Sequence, residues 1–200
     1  MKSINDPPRS PQHEMATALR AVADGLANES DRGTVVLAAA WLDESLTAIL
    51  ASYMAPAQRK DDFLAPGRAL GDFGTKILLA ERLRLVHPSL LRSLDMIRKL
   101  RNDFAHIASD LNFETQSVKA RINNFFRENV DLIQVMGESL VSSGLILGKG
   151  KVIAIEHMLD HFSTKKLFGY LCAWLNAALA LVKFRLKPAV QQFTLEMPAP

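Results

Sequence analysis

The chain has little of what stabilises small secreted domains, metal sites or membrane spans. It carries one cysteine, Cys172, in 200 residues, so neither a disulfide framework nor a thiolate metal site can be built. Cys172 lies in the apolar run Leu171–Leu175, where a free thiol acts as a small hydrophobe. A reducing, cytoplasmic setting is therefore expected. Met1–Arg20 contains no apolar signal-peptide core. The uncharged run Leu167–Val182 falls short of the ~20 residues a membrane span requires, and Asn176 interrupts it. It reads as a core or interface helix, and no membrane partner is expected.

Charge of one sign is also scarce. With 24 basic and 21 acidic residues the net charge is +3, and no tail or face gathers the surplus, so nucleic acid is permitted without being indicated. The glycines of 144–150 are not followed by the Gly-Lys-Ser/Thr of a phosphate loop. His157 and His161 stand at i, i+4 without an evident third ligand. No cofactor and no metal are expected. The chain shows neither internal repeat nor low-complexity segment.

What is present is apolar material: 48% hydrophobic against 22% charged residues. A chain of this length buries roughly 70% of its unfolded surface and needs no staple to fold. Its segmentation predicts an all-α, single-domain, multi-helix bundle over residues 13–188, with a flexible N-terminal arm at 1–12 and a C-terminal tail at 189–200. A first helix is expected from His13 to Ala27. The second, capped by Asn28 or Ser30, runs to about Met54 ahead of Pro56. After a connector broken by Pro66, Gly67, Gly71 and Gly74, a third runs from about Thr75 to Leu85, ended by His87-Pro88. A fourth spans Ser89 to Ile107 and a fifth Thr115–Val130. The last occupies Ser163–Leu186, stopped by Pro188. Between them, 145–155 suits a small β-hairpin about Gly148-Lys149-Gly150 as well as a loop running into a helix.

Two helices carry the chemistry. At ~100° per residue, Val35, Ala39, Leu42, Leu46, Ile49 and Tyr53 form one stripe of the second helix, and Asp31 falls on it. On the fourth, Leu90, Leu94, Ile97, Leu100, Phe104 and Ile107 form an apolar stripe, flanked by a polar line of Asp95, Arg98, Asn102 and His106. Arg101 projects only ~40° from the apolar centre. A guanidinium there requires a carboxylate, and Asp31 is the first candidate, followed by Asp43 and Glu29. Such a clamp predicts that Arg101→Ala costs about 3–5 kcal/mol.

The segments Glu29-Ser30-Asp31-Arg32-Gly33, Leu42-Asp43-Glu44 and Asp95 to His106 resemble the mannitol operon repressor (MtlR-like) family. The resemblance covers about residues 20–130 and the closing Leu167-Phe168-Gly169-Tyr170-Leu171, while Gly144–His157 departs from the pattern. It implies an all-α transcriptional regulator, expected as a homodimer, that acts through a protein partner. No helix-turn-helix, zinc finger or basic arm accompanies it, so direct sequence-specific DNA binding is not expected. Glu29, Asp31, Arg32, Asp43, Asp95 and Arg98 are its binding or structural polar cluster.

Arg101-Asn102 with His106 is also similar to the Arg-polar…His motif of HEPN superfamily nucleases. That resemblance implies the alternative, a metal-independent, toxin-like endoribonuclease. Arg101 would hold the scissile phosphate and His106 would move the proton of the 2′-hydroxyl or leaving oxygen. Position 101 lies ~140° from 106 on a helix, so the arginine must curl back or a second subunit must complete the site. The bland reading of His106 is a helix-terminal imidazole bonding the last carbonyls. Trp41 and Trp174 lie in helical apolar runs and read as packing or subunit-contact residues, not ligand-stacking ones.

Overall fold

The computed structural model describes residues 10–56, 63–106, 111–130, 133, 134, 138 and 155–189. Among them the chain forms seven helices: α1 (Pro11–Leu26), α2 (Asp31–Tyr53), α3 (Phe73–Arg82), α4 (Pro88–His106), α5 (Gln116–Glu128), α6 (Ile155–His161) and α7 (Thr164–Arg185). The all-α bundle expected from the periodicity is what is found. The arm up to residue 9, the hairpin segment up to residue 154 and the tail from residue 190 lie outside the described residues. Ile155, the last hairpin position, opens α6.

Side-chain caps set the helix starts. Ser10 accepts from the His13 N–H at 3.2 Å with Pro11 as the first helical residue, which moves the start of α1 two residues ahead of His13. A proline fits there because its missing N–H would be unpaired anyway. Ser30 caps α2 through the Gly33 N–H at 3.1 Å, and Asp72 caps α3 through Gly74 and Thr75. Ser163 caps α7 through Lys166. Thr115 precedes α5 without capping it; Asn112 Oδ1 instead accepts from the Glu114 and Thr115 N–H groups.

The end of α3 differs from expectation. It stops at Arg82, three residues before Leu85. The Leu85 N–H reaches back to the Ala80 carbonyl (3.0 Å) and the Arg84 N–H to that of Glu81 (2.9 Å), while Arg84 takes φ 53°. This is the paired closure of a Schellman turn, with arginine in the left-handed position that glycine usually fills.

α2 runs through the centre, packed against α1, α3, α4 and α7, and α1 lies along α7. Val35, Ala39, Leu42, Leu46 and Ile49 are buried, as are Leu90, Leu94, Ile97, Leu100 and Phe104 of α4. α2 and α7 are each long and apolar enough, by length and composition, to cross a membrane. Here they pack on one another, α7 also packs on α1, and most residues of Leu167–Ala177 are buried. Trp174 is buried; the Trp41 ring lies against Gly25, where even one Cβ would sit 2.0 Å from it. Cys172 is wholly buried, and burial pushes its thiol well above the ordinary range, which keeps it unreactive.

Polar contacts also join distant elements inside the bundle. The buried Lys76 ammonium meets Asp43 Oδ1 at 2.9 Å. Asn176 donates to the Ala18 carbonyl (3.1 Å) and accepts from Ser45 Oγ, linking α1, α2 and α7.

Candidate functional site

The polar side of α4 opens onto a groove of about 920 Å³ whose walls also include α3 and α5. An extension of about 370 Å³ shares Arg92, Met96 and Arg121 with it and continues along α5 past Asn124 and Glu128. The sequence explains the layout. Arg92, Asp95, Met96 and Lys99 recur at helical spacing along one side of α4, next to the stripe that faces the core. On α3, Leu78 stands on the side opposite Lys76 and Ala80, both buried. α5 packs on α6 and α7 and is tied to α4 by Arg121, whose Nη1 meets Asp103 Oδ2 at 2.6 Å.

Electrostatically the groove pairs some charges and leaves others free. Asp95 Oδ1 accepts from Arg98 Nε (3.0 Å) and Nη2 (2.8 Å), and its Oδ2 meets Lys99 Nζ at 2.8 Å. Partial burial alone would raise its pKa. The hydrogen bonds and charges of Lys99 and Arg98 outweigh that and hold the carboxyl below the usual aspartate value. The Asp72 carboxylate is occupied by the N–H groups at the start of α3. Arg98 lies against that turn, its Cδ 3.4 Å from where a Cβ on Gly74 would sit, an ordinary van der Waals distance. Arg92 and Glu81 make no ion pair among the described residues. The groove's apolar surface comes from Ile77, Leu91, Met96 and above all Leu78, which is 61% exposed.

The residues expected to act together are dispersed. Asp95 and Arg98 line the groove; Arg101, Asn102 and His106 do not. Arg101 and Asn102 are half-buried, His106 is exposed, and none makes a hydrogen bond or ion pair among the described residues. The expected clamp of Arg101 by Asp31 is absent. Asp31 Oδ2 accepts the Phe113 N–H (3.0 Å) and its Oδ1 meets Lys165 Nζ (3.2 Å). This anchors the turn before α5 and the start of α7 to the start of α2. Asp43 pairs with Lys76, Glu29 offers its backbone carbonyl to Lys165, and Arg32 is exposed. Among the described residues no three His, Cys, Asp or Glu side chains form a metal-binding group; the His157 side chain lies outside those residues.

Arg92 and Lys99 were legible as neighbours of Asp95 at i−3 and i+4 but were not singled out. Leu78 and Arg121 carried no local signal: their place in the groove depends on how α3 and α5 meet α4.

Comparison with known proteins yields little. No family model matches the chain, and no curated protein does. A chain in the X-ray structure of the MtlR–HPr complex from Escherichia coli is similar at 15% identity and a TM-score of 0.47, over 78% of this chain and 99% of that one. A likeness of that size does not place the chain in a family.

Proposed function

We propose that this chain is a cytoplasmic regulator that acts by binding another protein, as the resemblance of its α2 and α4 segments to mannitol operon repressors implies. In this reading it influences transcription through that partner, as a homodimer, without itself reading DNA sequence. The observation that carries it is the α3–α4–α5 groove, where the exposed Leu78 lies among the charged side chains of α4. A large apolar residue left in water beside a concave, charged surface is the composition of a protein-binding patch, with an apolar centre and a polar rim.

The test is reconstitution. Proteins captured in cells by the wild-type chain and lost by Leu78→Asp would be identified, purified and titrated against both forms. A purified partner that binds wild type at least tenfold more tightly than the variant is the expected result. Equal binding to both forms, or tight sequence-specific DNA binding by the chain alone, would overturn the reading. Gel shifts should show only weak, salt-sensitive DNA association.

A further inference from the structure

We infer that the groove takes an acidic protein segment, one that sets carboxylates against Arg92, Arg98 and Arg121 and an apolar side chain on Leu78 and Met96. The inference rests on the protein-binding reading above and adds the chemistry of what is bound.

It follows from the groove's hydrogen-bonding capacity. Each guanidinium carries five N–H donors and no acceptor. Arg98 spends two on Asp95 and Arg121 spends one on Asp103, while Arg92 spends none. Of the carboxylates that line the main groove, Asp72 is committed to the first turn of α3 and Asp95 to Arg98 and Lys99. Among the described residues Glu81, and Glu128 in the extension, are the carboxylates left unspent, against twelve spare guanidinium N–H donors on the three arginines. The groove is thus rich in planar donors and poor in free acceptors, a surface complementary to oxyanions that accept in pairs.

Carboxylates and phosphates both satisfy arginine forks, and the apolar lining separates them. Binding of single-stranded nucleic acid draws on exposed aromatic rings that stack bases. The groove's aromatic side chain, Phe125, is buried, and its exposed apolar surface is the aliphatic Leu78 with the half-buried Met96 beside it. Aliphatic contact flanked by guanidiniums suits a segment that alternates Asp or Glu with Leu or Ile. An amphipathic helix with acids at i, i+4 and an apolar residue between them is one such form.

The experiment uses the full chain and three fluorescein-labelled probes of similar length: an amphipathic peptide with Glu on one face and Leu on the other, the same residues in scrambled order, and oligouridylate. Fluorescence anisotropy is read for wild type, Leu78→Asp and Arg92→Glu. Both residues are exposed, so circular dichroism should show intact folds. The ordered acidic peptide is expected to bind wild type at least tenfold more tightly than either variant or than the scrambled peptide, and to weaken with salt. A peptide with Lys in place of Glu should regain affinity for Arg92→Glu. Tighter binding of oligouridylate, or equal binding of the ordered and scrambled peptides, overturns the inference. Cross-linking of the cellular partner gives the independent arm. A neutral or basic segment seated at Leu78 would overturn the acidic assignment while leaving the protein-binding reading intact; absence of any Leu78-dependent partner would overturn that reading instead.

Discussion

Lys76 Nζ lies 2.9 Å from Asp43 Oδ1, with the lysine side chain 3% exposed and the aspartate 28%. The pair joins α3 to α2 at the edge of the core, and its two members are not equivalent. Removing the acid leaves an ammonium stranded in an apolar wall. Asp43→Ala is therefore expected to destabilise the fold by about 3 kcal/mol, the low end for a broken buried pair because the acid still reaches solvent. Lys76→Met removes the charge and keeps the volume, and should lie within about 1 kcal/mol of wild type. Urea unfolding of both variants measures the asymmetry; equal losses would mean that the ammonium is solvated.

The same logic reverses the expectation for Arg101. Helical projection put its guanidinium near the apolar stripe and called for a carboxylate from α2. Its side chain is half-buried and makes no ion pair among the described residues, as expected of a long basic side chain whose stem covers apolar surface while its head reaches water. Arg101→Ala is expected to change stability by no more than about 1 kcal/mol. A loss of several kcal/mol in thermal or urea unfolding would restore the clamp.

These two residues show what a sequence can and cannot reveal here. The apolar stripes of α2 and α4 were legible because they depend on spacing within one helix: Val35 to Ile49 and Leu90 to Phe104 of those stripes are buried, whereas Tyr53 is half-buried and Ile107 lies outside the described residues. The cap at Ser30 was legible for the same reason, as one of two candidates with Asn28. The choice of partner was not. That an acid of α2 should meet a cation in a neighbouring helix was sound, but Lys76 rather than Arg101 reaches Asp43, across 33 residues. Asp31 instead serves Lys165 and the Phe113 amide. Ser45 meets Asn176 across 131 residues, a separation at which no local pattern survives. The groove depends on three helix axes at once, and for that reason only its α4 side was visible.

Arg84 holds a conformation at φ 53° that costs an L-residue roughly 1–2 kcal/mol, whereas glycine adopts it freely. Glycine also loses more entropy on folding, so part of the gain is returned. Arg84→Gly is expected to stabilise the protein by up to about 1 kcal/mol, measured as a raised urea midpoint at unchanged slope. A destabilised variant would show that the arginine side chain contributes contacts that outweigh the strain of its backbone.

Asp95 gives the acid limb of stability a definite sign. Its folded-state pKa is lowered: burial opposes the shift, but Lys99 and Arg98 overcome it. Its contribution is therefore present above the unfolded value of ~3.9 and fades as pH falls through the lower folded value. With the side chain 34% exposed the effect is small, below about 1 kcal/mol. Asp95→Asn should be less stable than wild type at pH 7, with the difference closing as pH falls through the lowered folded-state value. A difference that is constant with pH would assign the loss to the shape of the amide and not to its charge.

The Arg101-Asn102-His106 motif makes the last prediction. Metal-free RNA cleavage needs a base within hydrogen-bonding reach of the 2′-hydroxyl and a cation on the phosphate, both oriented by neighbours. His106 is exposed at the end of α4, and neither it nor Arg101 is oriented by a hydrogen bond among the described residues. The described residues supply no held pair. Incubation of purified protein with single-stranded RNA in chelator is expected to leave the RNA intact, with wild type and His106→Ala indistinguishable. Cleavage that His106→Ala abolishes, at unchanged melting temperature and rising with the square of protein concentration, would show instead that two copies assemble a nuclease site across their interface.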